Sequence, residues 1–221
     1  MLKQEIIQLL PSCCDIGFVN ISDCSQEEQE IIKAFSLTTK TIIVLAHHIT
    51  TSLEWTWYPH EAERCNNTCG ADLHAKDIIN QIDNYIKEEG HHNYIVPYPG
   101  ISGLRMKNIA NKTSLGEFGD SYLFLHKQWG PWVHLRMLLT NALIESDKKS
   151  DLNVCSHCGQ CILACPAKAI KTDSFDGVIC GDYQMSQHNG ITDCYNWKCE
   201  LCARVCPIGN PPLQIKITSD L

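Results

Sequence analysis

Cys155, Cys158, Cys161 and Cys165, with Pro166 directly after them, stand at the spacing C-x2-C-x2-C-x3-C-P, and nothing else in the chain restricts its fold as much. Three thiolates at this spacing wrap three corners of a 4Fe-4S cubane, while the fourth cysteine is directed outward to a second cluster. Zinc is the competing reading, but structural zinc usually takes two separated pairs and has no use for a third cysteine at x2 spacing. A second motif, Cys199, Cys202 and Cys206 followed by Pro207, repeats the template with one gap, because the position that should be cysteine is Asn196. The second cluster must recruit a ligand, and Cys180 and Cys194 are the candidates. By the cross-over rule one cluster takes Cys155, Cys158, Cys161 and Cys206, and the other takes Cys165, Cys199, Cys202 and the recruited cysteine. Two clusters in one small module imply electron relay. Their irons are fully ligated, so substrate chemistry must happen elsewhere.

The chain has 221 residues, 14 of them cysteine, a number that would also suit a secreted disulfide scaffold. Its first ten residues, MLKQEIIQLL, lack a long apolar core and a small-residue cleavage site, which argues against secretion. In a reducing compartment clustered cysteines are more often metal ligands than disulfides, so a cytoplasmic location is expected. No apolar run reaches the roughly 18 residues that span a bilayer, and no membrane partner is expected. The net charge of -7 comes without a Lys/Arg stripe, and Arg105 to Lys107 reads as a short basic spot on a solvated helix face, so no nucleic-acid partner is expected either.

Apolar periodic segments dominate before the polar stretch ESDKKSD, Glu145 to Asp151, and nine of the cysteines follow it. This divides the chain into an α/β domain, 1–148, and a ferredoxin-like domain, 149–221. Helical spacing is read over Leu2 to Leu10, ending at Pro11, over Ala75 to Glu89, ending at Gly90, and over Leu104 to Ala110. Strands are read at Gly17 to Ser22, at Thr41 to Ala46 and at Tyr94 to Val96. Tyr122 to Leu125 and Val133 to Leu139 read as a strand pair joined across Gly130 and Pro131. Strands mixed with helices indicate an α/β or α+β sandwich.

The cysteine arrangement, together with SLGEFG at Ser114 to Gly119, Gly130 and Pro131, and LLTN at Leu138 to Asn141, resembles the family of epoxyqueuosine reductase and the corrinoid reductive dehalogenases. The resemblance implies a nitroreductase-like, corrinoid-binding α/β fold followed by a bacterial dicluster ferredoxin-like module. It favours Cys180 over Cys194 as the recruited ligand. It further implies a cobalamin-type corrinoid between the two parts, contacted by Leu115, Gly116, Glu117, Phe118 and Gly119, with cobalt reduced through the relay. Three departures accompany it. The family's catalytic acid falls near Gly100, and no Asp or Glu lies between Tyr94 and Ala110; Asp120 stands where relatives usually carry a basic residue; and the chain ends soon after the second motif, without the helical repeats that help epoxyqueuosine reductase hold tRNA. These departures argue against epoxide reduction and against a tRNA substrate.

Two functions follow as expectations. The first is a corrinoid-dependent reductase fed by a ferredoxin or flavodoxin. The alternative is a dicluster electron-transfer protein donating to a separate partner, such as a corrinoid protein; a regulatory or structural iron-sulfur protein is a third, weaker reading. No catalytic residue is assigned. Cys65 and Cys69 are expected to be unligated thiols and Cys13, Cys14 and Cys24 structural ones. His47 and His48, ending the best strand, read as a surface pair with an option on a cofactor. Trp55, Trp57, Tyr58 and His60 form an aromatic group that suits a lid or core edge.

Overall fold

The run TIIVLA has no polar alternation because both of its faces are covered. In the computed structural model, which describes residues 2–51, 54, 57–58, 68–98, 101, 103–149, 152–186 and 199–213, it lies within strand β2, Thr41–His48, inside a four-stranded antiparallel sheet of order β1-β2-β8-β5. Here β1 is Cys14–Asn20, β5 is Asn93–Ile95 and β8 is Val133–Thr140. Alternate side chains of a strand point to opposite faces. Ile43 and Leu45 pack with Ile16, Phe18 and Leu138 under α1, Leu2–Gln8, and α3, Gly70–Glu88. Ile42, Val44 and Ala46 pack with Met137 and Leu139 under α2, Gln26–Phe35, and α4, Met106–Ala110. The result is a mixed α/β sandwich with helices on both faces of the sheet.

Helix α3 presents Ala75, Ile79, Ile82 and Ile86 to the sheet, all fully buried, at the spacing of one helical face. It stops at Gly90, whose φ of 85° is left-handed, and the amide of His91 returns to the Ile86 carbonyl at 3.2 Å. Helix α2 opens on a capping box in which Ser25 Oγ accepts from the Glu28 amide and Glu28 Oε2 accepts from the Ser25 amide.

One expected pairing is corrected. Both segments flanking Gly130 and Pro131 contain strands, but they do not pair with each other. β7, Phe124–His126, pairs with β6, Gly116–Phe118, as a separate hairpin, while β8 joins the main sheet between β2 and β5. β8 gains an eight-residue register along β2, against the three residues that β7 offers any partner.

β1 is an edge strand, and the segment before the cysteine motifs covers it. The Asp147 amide donates to the Phe18 carbonyl, and its carboxylate accepts from the Phe18 amide at 3.1 Å, from Lys3 Nζ at 2.9 Å and from Ser114 Oγ at 3.3 Å. Asp147→Ala leaves a largely buried amide unpaired and opens the edge. We expect it to lower urea stability by about 2 kcal/mol without changing the visible absorption of the clusters. Among the described residues, no helix is long and apolar enough to cross a membrane.

Candidate iron-sulfur centre and adjoining cleft

Past Asp147 few apolar side chains of the described residues are buried, and the chain's course is set by tight turns. Asn153 and His157 adopt positive φ, and Gly159, with φ of 71°, caps α5, Gln160–Ala164. Cys155 and Cys158 precede α5, Cys161 lies on it and Cys165 follows it. Cys180 lies on α6, Gly177–Ser186, and Cys202 on α7, Leu201–Arg204, between Cys199 and Cys206. α5 and α7 pack together. All eight thiols are free. Cys155, Cys158, Cys161, Cys202 and Cys206 line one pocket of about 330 Å³ with Asp120, Ser121 and Leu125 of the α/β part.

The thiols crowd one another. Burial, and after it the neighbouring Cys199 and Cys180, push the Cys202 thiol up to about 11. Cys206 is raised by burial and then by Cys155 and Cys158, and Cys161 by burial and then by Asp120 and Cys155. Thiols held protonated by burial and by each other become thiolates together only when a cation enters among them, with release of protons. Cys206 has Cys155 and Cys158 as its thiol neighbours, and Cys202 has Cys199, Cys180 and Cys161, so Cys161 stands near both sets. The Cys180 sulfur also accepts from Gln184 Nε2 at 3.2 Å. Cys194 lies outside the described residues.

The SLGEFG segment is the hairpin strand β6 and its flanks. Gly116 is required there, since a Cβ on it would stand 2.0 Å from the Leu125 carbonyl oxygen. Of the residues read as corrinoid contacts, Phe118 and Gly119 line a cleft of about 760 Å³ with Arg105, Lys107, Asn108, Asp120, Tyr122 and Thr172. Leu115 and Gly116 are buried, and Glu117 turns the other way, accepting the Cys155 amide at 3.1 Å. Asp120 pairs with His157 at 2.8 Å. Arg105 is exposed, as expected of a solvated face, while Lys107 is half-buried; both line the cleft, and Lys107 donates to the Tyr122 carbonyl at 3.0 Å, 5.5 Å above the Phe118 ring. Burial, then Arg105, depress its ammonium. Tyr122 stacks on Phe175 of the cysteine-rich part, their ring centres 5.4 Å apart.

His47 is 3% exposed, which corrects the surface-pair reading. Its Nε2 meets Glu54 Oε1 at 3.0 Å and its Nδ1 meets Cys14 Sγ at 3.5 Å. Burial lowers its imidazole against the pull of Glu54. Burial would raise the Glu54 carboxyl, but hydrogen bonds from His47 and Thr50 outweigh it and hold it at about 2. His48 and His126 stack on Trp129, and Asp72 pairs with His134 at 2.8 Å and Arg136 at 3.3 Å. The sequence reading missed Glu54, His74, Asp72 and His134; the alternation of His134 with its apolar neighbours in β8 was the available signal. Cys14 and Cys24 are buried, as expected of structural thiols, and burial pushes both up to about 12. Trp55, His60 and Cys65, with the side chains of Trp57, Tyr58 and Cys69, lie outside what is described.

Residues 149–171 match the model of the 4Fe-4S binding domain, so the cysteine-rich part is an iron-sulfur module. Across more of its length the chain is similar to epoxyqueuosine reductases: 32% identical over 107 residues to that of Lactococcus garvieae (45% of this chain, 30% of the relative) and 30% identical over 149 residues to that of Cyclobacterium marinum (62% and 48%). In both cases the alignment spans less than half of the relative. The same fold is found in epoxyqueuosine reductase from Streptococcus thermophilus, with a TM-score of 0.67 at 21% identity over 95% of this chain and 66% of that one. A reductive dehalogenase whose structure suggests a mechanism for B12-dependent dehalogenation shares it, with a TM-score of 0.64 at 15% identity over 90% and 30%. Another neighbour is epoxyqueuosine reductase with an epoxyqueuosine-modified tRNA-Tyr stem loop, with a TM-score of 0.67 at 17% identity over 93% and 64%. That neighbour carries an RNA stem loop on the same fold, which runs against the expectation of no nucleic-acid partner.

Proposed function

We propose that this chain is an iron-sulfur reductase in which two 4Fe-4S clusters relay electrons to a corrinoid seated in the Phe118–Gly119 cleft. The observation that carries the reading is that Asp120 lines both the cleft and the cysteine pocket, so the two adjoin through one residue. On this reading residues 1–148 bind the corrinoid and residues 149–221 hold the clusters, with a ferredoxin or flavodoxin as donor.

The residues present fit both groups. Eight thiols free of disulfides suit two cubanes, with Cys155, Cys158, Cys161 and Cys206 holding one and Cys165, Cys180, Cys199 and Cys202 the other. A cleft with two aromatic rings, two cations and glycine backbone suits a large ligand with an apolar face and an anionic tail. When bound, a corrinoid supplies cobalt redox chemistry, and the protein supplies position and electrostatics. Arg105 and Lys107 hold anionic groups, Phe118 and Tyr122 exclude water from one side of the cleft, and Glu117 fixes the first cysteine loop against the hairpin. Asp120 is engaged by His157 and orients that loop. With no carboxylate between Tyr94 and Ala110, the proton for a reduced substrate comes from another group than in epoxyqueuosine reductase.

Cluster-loaded protein titrated anaerobically with cobalamin is expected to shift the corrin absorption bands with saturation near one equivalent, and Gly119→Trp should abolish the shift while leaving the iron content unchanged. An unchanged corrin spectrum at saturating cobalamin would sink the corrinoid part of the reading.

A further inference from the structure

Among the described residues three side-chain clusters hold metal-ligating atoms close together. Asp120, Cys155 and His157 belong to the iron-sulfur centre. The other two share His47, which meets Cys13 and Cys14 on one side and Glu54 and His74 on the other, where β2 ends and α3 begins. We propose that His47, Glu54 and His74 form a divalent-cation site, with zinc as the ion, separate from the clusters and from the corrinoid cleft.

The three ligand atoms lie within 4.8 Å of one another. Glu54 Oε1 stands 3.0 Å from His47 Nε2 and 3.3 Å from His74 Nδ1. Tetrahedral zinc, with bonds of about 2.0–2.1 Å to nitrogen and oxygen, sets its ligand atoms about 3.3–3.4 Å apart. The carboxylate oxygen therefore already stands near the edge length of that polyhedron from both imidazole nitrogens.

Both inner ligands are held from behind. Glu54 Oε2 accepts from the Thr50 amide at 2.6 Å, from Thr50 Oγ1 at 2.8 Å and from the Thr51 amide at 3.0 Å, which fixes the plane of the carboxylate. His47 turns Nε2 to Glu54 and Nδ1 to Cys14 Sγ; with an ion in place of the Nε2 proton, the ring proton would sit on Nδ1 with the sulfur as its acceptor, the arrangement found around metal-bound histidines. Cys14 is thereby a positioning residue, not a ligand. The third side chain is the way in: His74 is 63% exposed, against 4% for His47 and 10% for Glu54. Two imidazoles and one carboxylate favour zinc over magnesium or calcium, which take oxygen alone. The exposed side leaves a fourth position for water, as in zinc sites that are not purely structural.

The test uses full-length, cluster-loaded protein dialysed against zinc, read by metal analysis and zinc X-ray absorption. One zinc per chain is expected, with a nitrogen and oxygen shell at about 2.0–2.1 Å and no sulfur shell at about 2.3 Å. His74→Ala, a change at an exposed side chain, should weaken binding at least about tenfold while the iron content stays at the parent's value. Cys14→Ala should keep the zinc shell and weaken binding less. Zinc retention equal in parent and His74→Ala, or a sulfur-dominated shell that places the ion among cluster cysteines, would overturn the proposal.

Discussion

Anaerobic reconstitution is expected to give about eight irons and eight labile sulfides per chain, and Cys206→Ala about half of each. The reason is spatial. Cys206 lies more than 40 positions from the first motif, yet it lines one pocket with Cys155 and Cys158, and on the proposed reading it closes the cluster that those two begin. The same logic separates the two candidates for the recruited ligand. Cys180→Ser should cost one cluster's electron paramagnetic resonance signal, because Cys180 bears on Cys202, whereas Cys194→Ser should cost none. A parent protein with four irons would reduce the centre to one cluster, and loss on Cys194→Ser alone would exchange the ligand. The effect extends to the fold. Among the described residues beyond 150, the buried apolar side chains are Ala169, Ile170, Ala203 and Pro212, far too little surface to order so many residues unaided. On the proposed reading the clusters serve as the core of that part. Losing one should expose the C-terminal segment to limited proteolysis and leave the α/β sandwich, with its two large apolar layers, resistant.

How far the sequence spoke for itself depended on how local the chemistry was. The cluster motifs were legible because a cubane edge matches x2 spacing within ten residues of chain. TIIVLA was legible as a strand because burial on both faces removes alternation. The pairing across Gly130 was misread because nearness along the chain was allowed to decide, whereas β2 offered β8 a longer ladder of hydrogen bonds. Helix α2 was passed over although Ser25 and Glu28 spell a capping box, since its single fully buried contact, Ile32, leaves too weak an apolar period. Glu117 was read as a cofactor contact because the family resemblance covers Ser114 to Gly119 as a block. Alternation along β6 turns it the other way, onto the Cys155 amide. The cluster of His47, Glu54, His74 and Cys14 could not be read at all: its members come from β1, β2, the loop after β2 and α3, and only the folded sheet brings them together.

At one point the sandwich and the iron-sulfur module meet backbone against backbone, and this gives the second large effect. Gly130 has φ of 58°, and a Cβ on it would stand 2.0 Å from the Ile208 carbonyl oxygen; Gly209 meets the Trp129 carbonyl oxygen at 2.2 Å in the same way. No side chain is free to swing aside. The turn holding Gly130 cannot shift easily either, because His126 and Gly130 exchange two backbone hydrogen bonds of 2.8 and 2.9 Å and Trp129 is stacked between His48 and His126. Gly130→Ala therefore adds a clash to the strain of a left-handed alanine, together about 3–4 kcal/mol. At this chain length that lowers the melting temperature by about 10 °C. Ile208 is two residues past Cys206, so the push should also speed loss of the cluster that Cys206 closes, measured as iron release to a chelator. Gly90→Ala separates the two causes. Gly90 is equally left-handed, with φ of 85°, but a Cβ there meets nothing within 4 Å, so only the conformational cost of about 1 kcal/mol remains and iron release should match the parent. If Gly130→Ala melts and releases iron as Gly90→Ala does, the seam yields, and the module rides on the sandwich more loosely than a fixed path for electrons allows.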